Sequence, residues 1–74
     1  MPTYEIIVGT LTYTMKAEKL LTQARVSVYV QKDPYAAQKG CGYILIVTTK
    51  NIEGVKALIQ NNNIPIKSIQ KRRN

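Results

Sequence analysis

The residues with the clearest chemical potential are Cys41, its neighbours Gly40 and Gly42, and the preceding Lys39. Cys41 is the only cysteine among 74 residues, and the sequence has no histidine. A single thiol can form no internal disulfide, cannot build a metal site on its own, and here has no imidazole to activate it. It can still attack a polarised sulfur or selenium atom and hold it, for example as a persulfide. Cys41 is therefore the candidate reactive residue, with the other three in support.

The glycines on both sides of Cys41 favour access to its sulfur, because glycine widens the allowed backbone conformations and adds no side-chain bulk. The alternative is that Cys41 is a small packing residue that closes a tight turn, as isolated cysteines often are. The tripeptide alone leaves both interpretations open.

The sequence gives little support for any other kind of catalytic site. The four acidic residues lie on separate predicted elements and form no evident carboxylate pair: Glu5, Glu18, Asp33 and Glu53. No glycine-rich phosphate loop of the Walker type is present. We expect no cofactor and no metal, and a carrier or transfer protein rather than a turnover enzyme.

Length and composition predict one small domain, residues 1–74, with an ordered core at about 4–70 and a basic tail at 71–74. A domain of this size rarely gains more than ~3–5 kcal/mol from its core, so partners or self-association could contribute. The N-terminus lacks the pattern of a signal peptide, and the longest apolar run, 43–47, is too short to span a membrane. With a free cysteine, these features favour the cytoplasm.

The formal net charge of +7 favours acidic partners, either nucleic acid or acidic protein. Most lysines are scattered, and the only basic run is Lys71-Arg72-Arg73. Such a tail is most often a solvated, frayed terminus, although it could contact nucleic acid.

Six elements are predicted to position Cys41. One helix, capped by Thr10 or Thr12, runs to about Ala24, and another, capped by Asn51, runs to about Asn61. Their apolar stripes are Ala17, Leu20, Leu21 and Ala24, and Ile52, Val55, Leu58 and Ile59. Alternation and β-branched residues predict strands at 4–8, 26–31, 43–49 and 64–69.

This element order predicts an α+β, ferredoxin-like βαββαβ two-layer sandwich, with an antiparallel four-stranded sheet in the order 4-1-3-2 and two helices on one face. The third strand is apolar on both faces, so the uncovered face could mediate a homodimer. The hairpin that holds Cys41 lies at the sheet end where the first helix begins. That helix N-terminus, with Lys32 and Lys39, would stabilise a thiolate there.

From residue 16 onward the chain resembles a small bacterial family of selenium/sulfur carrier-like proteins. The resemblance rests on Lys16-Ala17-Glu18-Lys19-Leu20-Leu21, a proline-bearing loop, Cys41-Gly42 before a strand, and Asn62-Asn63-Ile64. Arg25, where a glycine is common, departs from the pattern. The resemblance implies that Cys41 holds sulfur or selenium between donor and acceptor proteins.

An RNA-recognition motif shares the same element order and remains an alternative. Its strand-three signature can be laid over residues 39–46, but Cys41 and Ile46 stand where aromatics belong, and Tyr43 is the one aromatic in place. Strand one has Ile7 at its usual aromatic position. A homodimeric interaction protein without chemistry is a third possibility.

Overall fold

The computed structural model describes residues 1–32 and 42–72. Its elements are β1 Thr3–Ile7, α1 Leu11–Gln23, β2 Ser27–Lys32, β3 Tyr43–Thr48, α2 Ile52–Asn61 and β4 Ser68–Lys71. The strands form one four-stranded sheet in the order β2-β3-β1-β4, and every neighbouring pair is antiparallel. The predicted ferredoxin-like α+β architecture and its strand order are confirmed.

The hydrophobic core lies between the helices and one face of the sheet. Along β1 and β3, alternate residues point to this face, so Ile6 lies opposite Leu45. Both helices contribute to the same cluster. Its buried members are Ile6, Val8, Ala17, Leu21, Leu45, Val47, Val55, Ile59 and Ile64. We name this the helix-covered face and the opposite one the open face.

Local capping explains where the helices begin and end. The Thr10 hydroxyl accepts a hydrogen bond from the Tyr13 amide at 3.0 Å, and the Asn51 side chain accepts one from the Gly54 amide at 3.0 Å. These bonds satisfy amides that have no partner within the helix. Asn63, with φ of 62°, follows α2 in the left-handed conformation that asparagine tolerates. The predicted caps are confirmed, with Thr10 rather than Thr12 at α1.

The apolar stripe predicted for α1 is wrong at its last member. Ala24 is the C-cap and is exposed, because the helix ends at Gln23. Thr14 instead lies on the buried face, with 1% of its surface exposed. Its hydroxyl donates to the Thr10 carbonyl at 2.7 Å, which makes a polar side chain acceptable inside the core.

The last strand begins four residues later than predicted, at Ser68 rather than residue 64. Ile64 is buried against the core, but backbone pairing to β1 starts only where the Lys67 amide donates to the Ile7 carbonyl at 2.8 Å. Pairing then extends into the basic segment, because the Arg72 amide donates to the Thr3 carbonyl at 2.7 Å. The expectation of a frayed terminus is therefore wrong for Lys71 and Arg72.

Among the described residues, the open face has a small apolar cluster of its own, separate from the helix-covered core. Ile44 and Ile46 each expose 2% of their surface and pack with Ile7. Glu5 and Tyr29 lie on either side of Ile46 on the neighbouring strands.

Arg72 pairs with one of these flanking residues. Its Nε donates to Glu5 Oε2 at 3.0 Å, and this hydrogen bond, with a smaller contribution from Tyr29, raises its pKa. The guanidinium therefore keeps its charge at any ordinary pH. Ile44 and Ile46 are buried within one chain, and a homodimer through this face stays a prediction.

Candidate functional site

Gly42 leads into β3 at the end of the sheet where β1 leaves for α1. Ile6 lies opposite Leu45, so the chain that leaves β1 after Ile7 and the chain that arrives at Tyr43 share this end. We call it the α1 end. Gly42 is half-buried there, while Lys39, Gly40 and Cys41 lie outside the described residues. The predicted common location of the β3 start and the α1 N-terminus is confirmed for Gly42.

Gly9 makes the turn from β1 into α1 at this end. Its φ of 102° is one that residues with a side chain rarely adopt, and the residue is buried. Thr10 follows in an extended conformation and caps α1. The turn therefore directs the α1 N-terminus, with its free amides and partial positive charge, to the α1 end of the sheet.

Lys67 crosses this turn. A methyl group in place of the Gly9 hydrogen would lie 3.0 Å from Lys67 Cε and 3.6 Å from its Nζ, so the lysine stem passes directly over the glycine. The side chain is held there because the Lys67 amide donates to the Ile7 carbonyl. Lys67 thus places an ammonium group beside the residue that precedes the α1 N-cap.

Lys32 lies at the same end, opposite Tyr43 in the β2–β3 register. Its predicted position near the start of β3 is confirmed. Lys67 is the residue that sequence reasoning missed, because it is distant in the chain and reaches the turn only through pairing of β4 with β1. No local pattern around Lys67 marks it out from the other lysines.

The α1 and α2 termini contribute opposite signs to this end. The first turn of α1 contains no acidic residue, so its partial positive charge is uncompensated within the helix, whereas α2 carries Glu53 in its first turn. The C-terminus of α2 also points to the α1 end, and one of its carbonyls, that of Leu58, accepts from Asn62 Nδ2 at 2.8 Å. Lys67 adds positive charge at the β1–α1 turn and Lys32 lies opposite Tyr43. With the α1 N-terminus they favour an anion at the α1 end of the sheet, and the capped C-terminus of α2 opposes this.

The acidic residues do not assemble into a site within residues 1–32 and 42–72. Glu5 is paired with Arg72 on the open face, and no group of three or more metal-ligating side chains is found in these ranges. In the same part of the chain, no helix is both long enough and apolar enough to cross a membrane.

Over residues 1–32 and 42–72, the open face lacks the aromatic platform of an RNA-recognition motif. Tyr43 shares the face of Leu45 and Val47, which is the face that the helices cover. Ile7 does lie on the open face, but it packs with Ile44 and Ile46. Among the described residues, Tyr29 is the aromatic side chain of this face, and it lies opposite Ile46 on β2. The geometry does not favour base stacking on this sheet.

Comparisons with known proteins agree with the sequence resemblance. A family model described as "Putative Se/S carrier protein-like" matches residues 3–71, which includes every helix and strand of the fold. Searches of curated proteins and of solved structures give no match. Because the family model covers nearly the whole chain, this protein belongs to the Se/S carrier protein-like family.

Proposed function

We propose that the protein carries one sulfur or selenium atom on Cys41, between a donor protein and an acceptor protein. The observation that carries this proposal is the family match over residues 3–71, a span that contains the chain's single cysteine. A carrier needs one accessible nucleophile and no further catalytic group, which fits the residues available. The protein would act as a transfer partner rather than as an enzyme with its own turnover.

The chemistry is a thiol–persulfide exchange. The Cys41 thiolate attacks the terminal sulfur of a donor cysteine persulfide, a new S–S bond forms on Cys41, and the donor's S–S bond breaks. The donor cysteine leaves as a thiolate, so charge and oxidation level are conserved and no external oxidant is required. The reverse exchange with an acceptor thiolate delivers the sulfur. A selenium atom would move in the same way.

The charge distribution at the α1 end supports this role. Cys41 immediately precedes Gly42, which leads into β3 at the α1 end of the sheet. At this end Lys32 lies opposite Tyr43, and Lys67 crosses Gly9 just before α1. Positive groups near a cysteine favour its thiolate, the form that attacks sulfur. In this proposal Gly40 and Gly42 leave room for the partner's sulfur, and Lys39 adds a further positive charge. The cytoplasm, where cysteines stay reduced, is the proposed location.

Sulfur loading tests the proposal directly. The protein is incubated with a cysteine desulfurase and cysteine, or separately with inorganic polysulfide, and its intact mass is measured. Addition of one sulfur atom that dithiothreitol removes is expected for the wild type, and none for Cys41→Ser, which changes only the chalcogen. Equal addition to both proteins, or none to the wild type from either donor, would contradict the proposal.

The contribution of Lys67 is tested by the alkylation rate of Cys41 with iodoacetamide at neutral pH. We expect Lys67→Gln to react more slowly than the wild type, because one positive group at the α1 end is lost. Lys50→Gln is the matched control, since Lys50 is exposed and follows β3 at the opposite end of the sheet. An unchanged rate in Lys67→Gln, or an equal decrease in the control, would remove Lys67 from the site.

A further inference from the structure

An exposed apolar pair marks the beginning of α1. Leu11 and Met15 expose 46% and 57% of their surfaces, although they belong to a helix whose other apolar side chains pack toward the core. They are four residues apart, so their side chains are neighbours on the helix surface. Together they form one small, continuous, solvent-exposed apolar surface rather than two separate exposed side chains.

Two lysines extend this surface. Lys19 lies four residues after Met15, Lys16 lies three residues before Lys19, and both are exposed. We call Leu11, Met15, Lys16 and Lys19 together the α1 ridge. The one acidic residue of the helix, Glu18, is half-buried on the flank of Met15. The ridge therefore combines an apolar centre with a positive border, on a protein whose formal net charge is +7.

The position of the ridge relates it to the thiol chemistry. Leu11 directly follows the Thr10 cap, and Met15 lies only about 6 Å farther along the helix axis. The ridge therefore begins at the α1 end, the same end at which Gly42 leads into β3. A protein that rests on the ridge has its own surface beside that end of the sheet.

We propose that the α1 ridge is the docking surface for an acidic protein that donates the sulfur, with carboxylates facing Lys16 and Lys19 and an apolar side chain against Leu11 and Met15. This inference rests on the proposed function and names the class of its partner. Charge complementarity selects the occupant, because a second copy would present lysines to lysines. A nucleic acid would satisfy the lysines but leave the two apolar side chains without a matching contact.

The test compares a protein donor with a small one. The exchange is the same in both: the donor's terminal sulfur moves to the Cys41 thiolate and the remaining donor sulfur leaves as an anion. A cysteine desulfurase with cysteine is the protein donor and inorganic polysulfide is the small donor. The variants are Lys16→Glu/Lys19→Glu and Leu11→Gln/Met15→Gln. The control with the same net charge is Lys50→Glu/Lys71→Glu, whose two lysines are exposed and lie away from the ridge.

With the desulfurase, we expect the charge-reversed ridge to load about tenfold or more slowly than the control, and high salt to slow the wild type. The glutamine variant should load more slowly through lost apolar contact, with little change in its salt dependence. With polysulfide, all variants should load at the wild-type rate, and circular dichroism should show the native fold.

Three results would overturn the docking proposal. Ridge variants could load from the desulfurase as fast as the control. The ridge variants could also react more slowly with polysulfide, to the same extent as with the desulfurase, which would indicate an effect on the thiol rather than on docking. Finally, the wild type could accept sulfur from polysulfide but not from the desulfurase. Failure of both donors on the wild type would refute the proposed function itself and, with it, this inference.

Discussion

The two faces of the sheet are packed by different physical means. On the helix-covered face, apolar side chains of two helices and two central strands interlock around Leu45, which is fully buried. On the open face, Ile44 and Ile46 are equally buried, yet among the described residues they pack with Ile7, and the polar bridge of Arg72 with Glu5 lies on the same face. In the described part of the chain, one face is packed against both helices and the other holds a small apolar cluster beside an ion pair.

This difference shows how a domain of 74 residues can accommodate a central strand that is apolar on both faces. Only one face can be covered when both helices pack on the same side. Aliphatic stems and aromatic rings with polar ends can shield apolar residues while their polar groups stay in contact with water. Among the described residues, Glu5 and Tyr29 flank Ile46, and Arg72 pairs with Glu5, so these side chains are placed to shield the open face.

The largest expected effect comes from truncating a residue of the helix-covered face. Leu45→Ala should lower the free energy of unfolding by about 2–5 kcal/mol, because the cavity is surrounded by packed side chains that relax only partly. Ile46→Ala should cost about 2 kcal/mol, at the low end of that range, because the surface side chains beside it can move into the space. Urea unfolding measures both. Equal losses would show that the two faces are packed alike.

The smallest effect is expected from the polar bridge itself. Arg72→Ala should lower the melting temperature less than either truncation, since the charged pair is partly exposed, with 33% and 31% of its side chains accessible. High salt should reduce the difference between this variant and the wild type.

Arg72→Lys is the matched control, because lysine keeps the charge and an aliphatic stem but lacks the Nε that donates to Glu5. It should lower the melting temperature less than Arg72→Ala does. If Arg72→Ala unfolds the protein as severely as Leu45→Ala, the bridge is a structural core element and the comparison of the two faces is wrong.

Much of the fold could be predicted from local signals. Alternation, helical stripes and capping residues place the elements, and the strong apolar run of β3 identifies a central strand. Arg25 has a φ of 63°, a left-handed conformation that glycine adopts more readily, which is consistent with the expectation that glycine is common at this position. The predicted start of β4 was wrong because pairing with a strand that is distant in the sequence decides where it begins. Ile64 and Ile66 suggest a strand, but hydrogen bonding to β1 begins only at Lys67.

The location of the site at one end of the sheet could be predicted from the sequence, but not every residue that lies there. The shared location of Gly42 and the α1 N-terminus follows from strand order alone. Lys67 joins that end only because β4 pairs with β1 and its stem crosses Gly9, a contact across 58 positions of sequence. The ion pair of Arg72 with Glu5 on the open face likewise involves a residue that was expected in a frayed tail. Contacts between residues so far apart in the sequence produce no periodic sequence pattern from which they could be predicted.

The central claim is that Cys41 carries a chalcogen in the cell. The most direct measurement is the intact mass of the protein purified from its own cells without reductant, beside the Cys41→Ser variant expressed in the same way. The account predicts a wild-type species that is heavier by one sulfur or one selenium atom, that dithiothreitol returns to the unmodified mass, and that the serine variant lacks. An unmodified thiol in every wild-type preparation, or the same added mass on the serine variant, would contradict it.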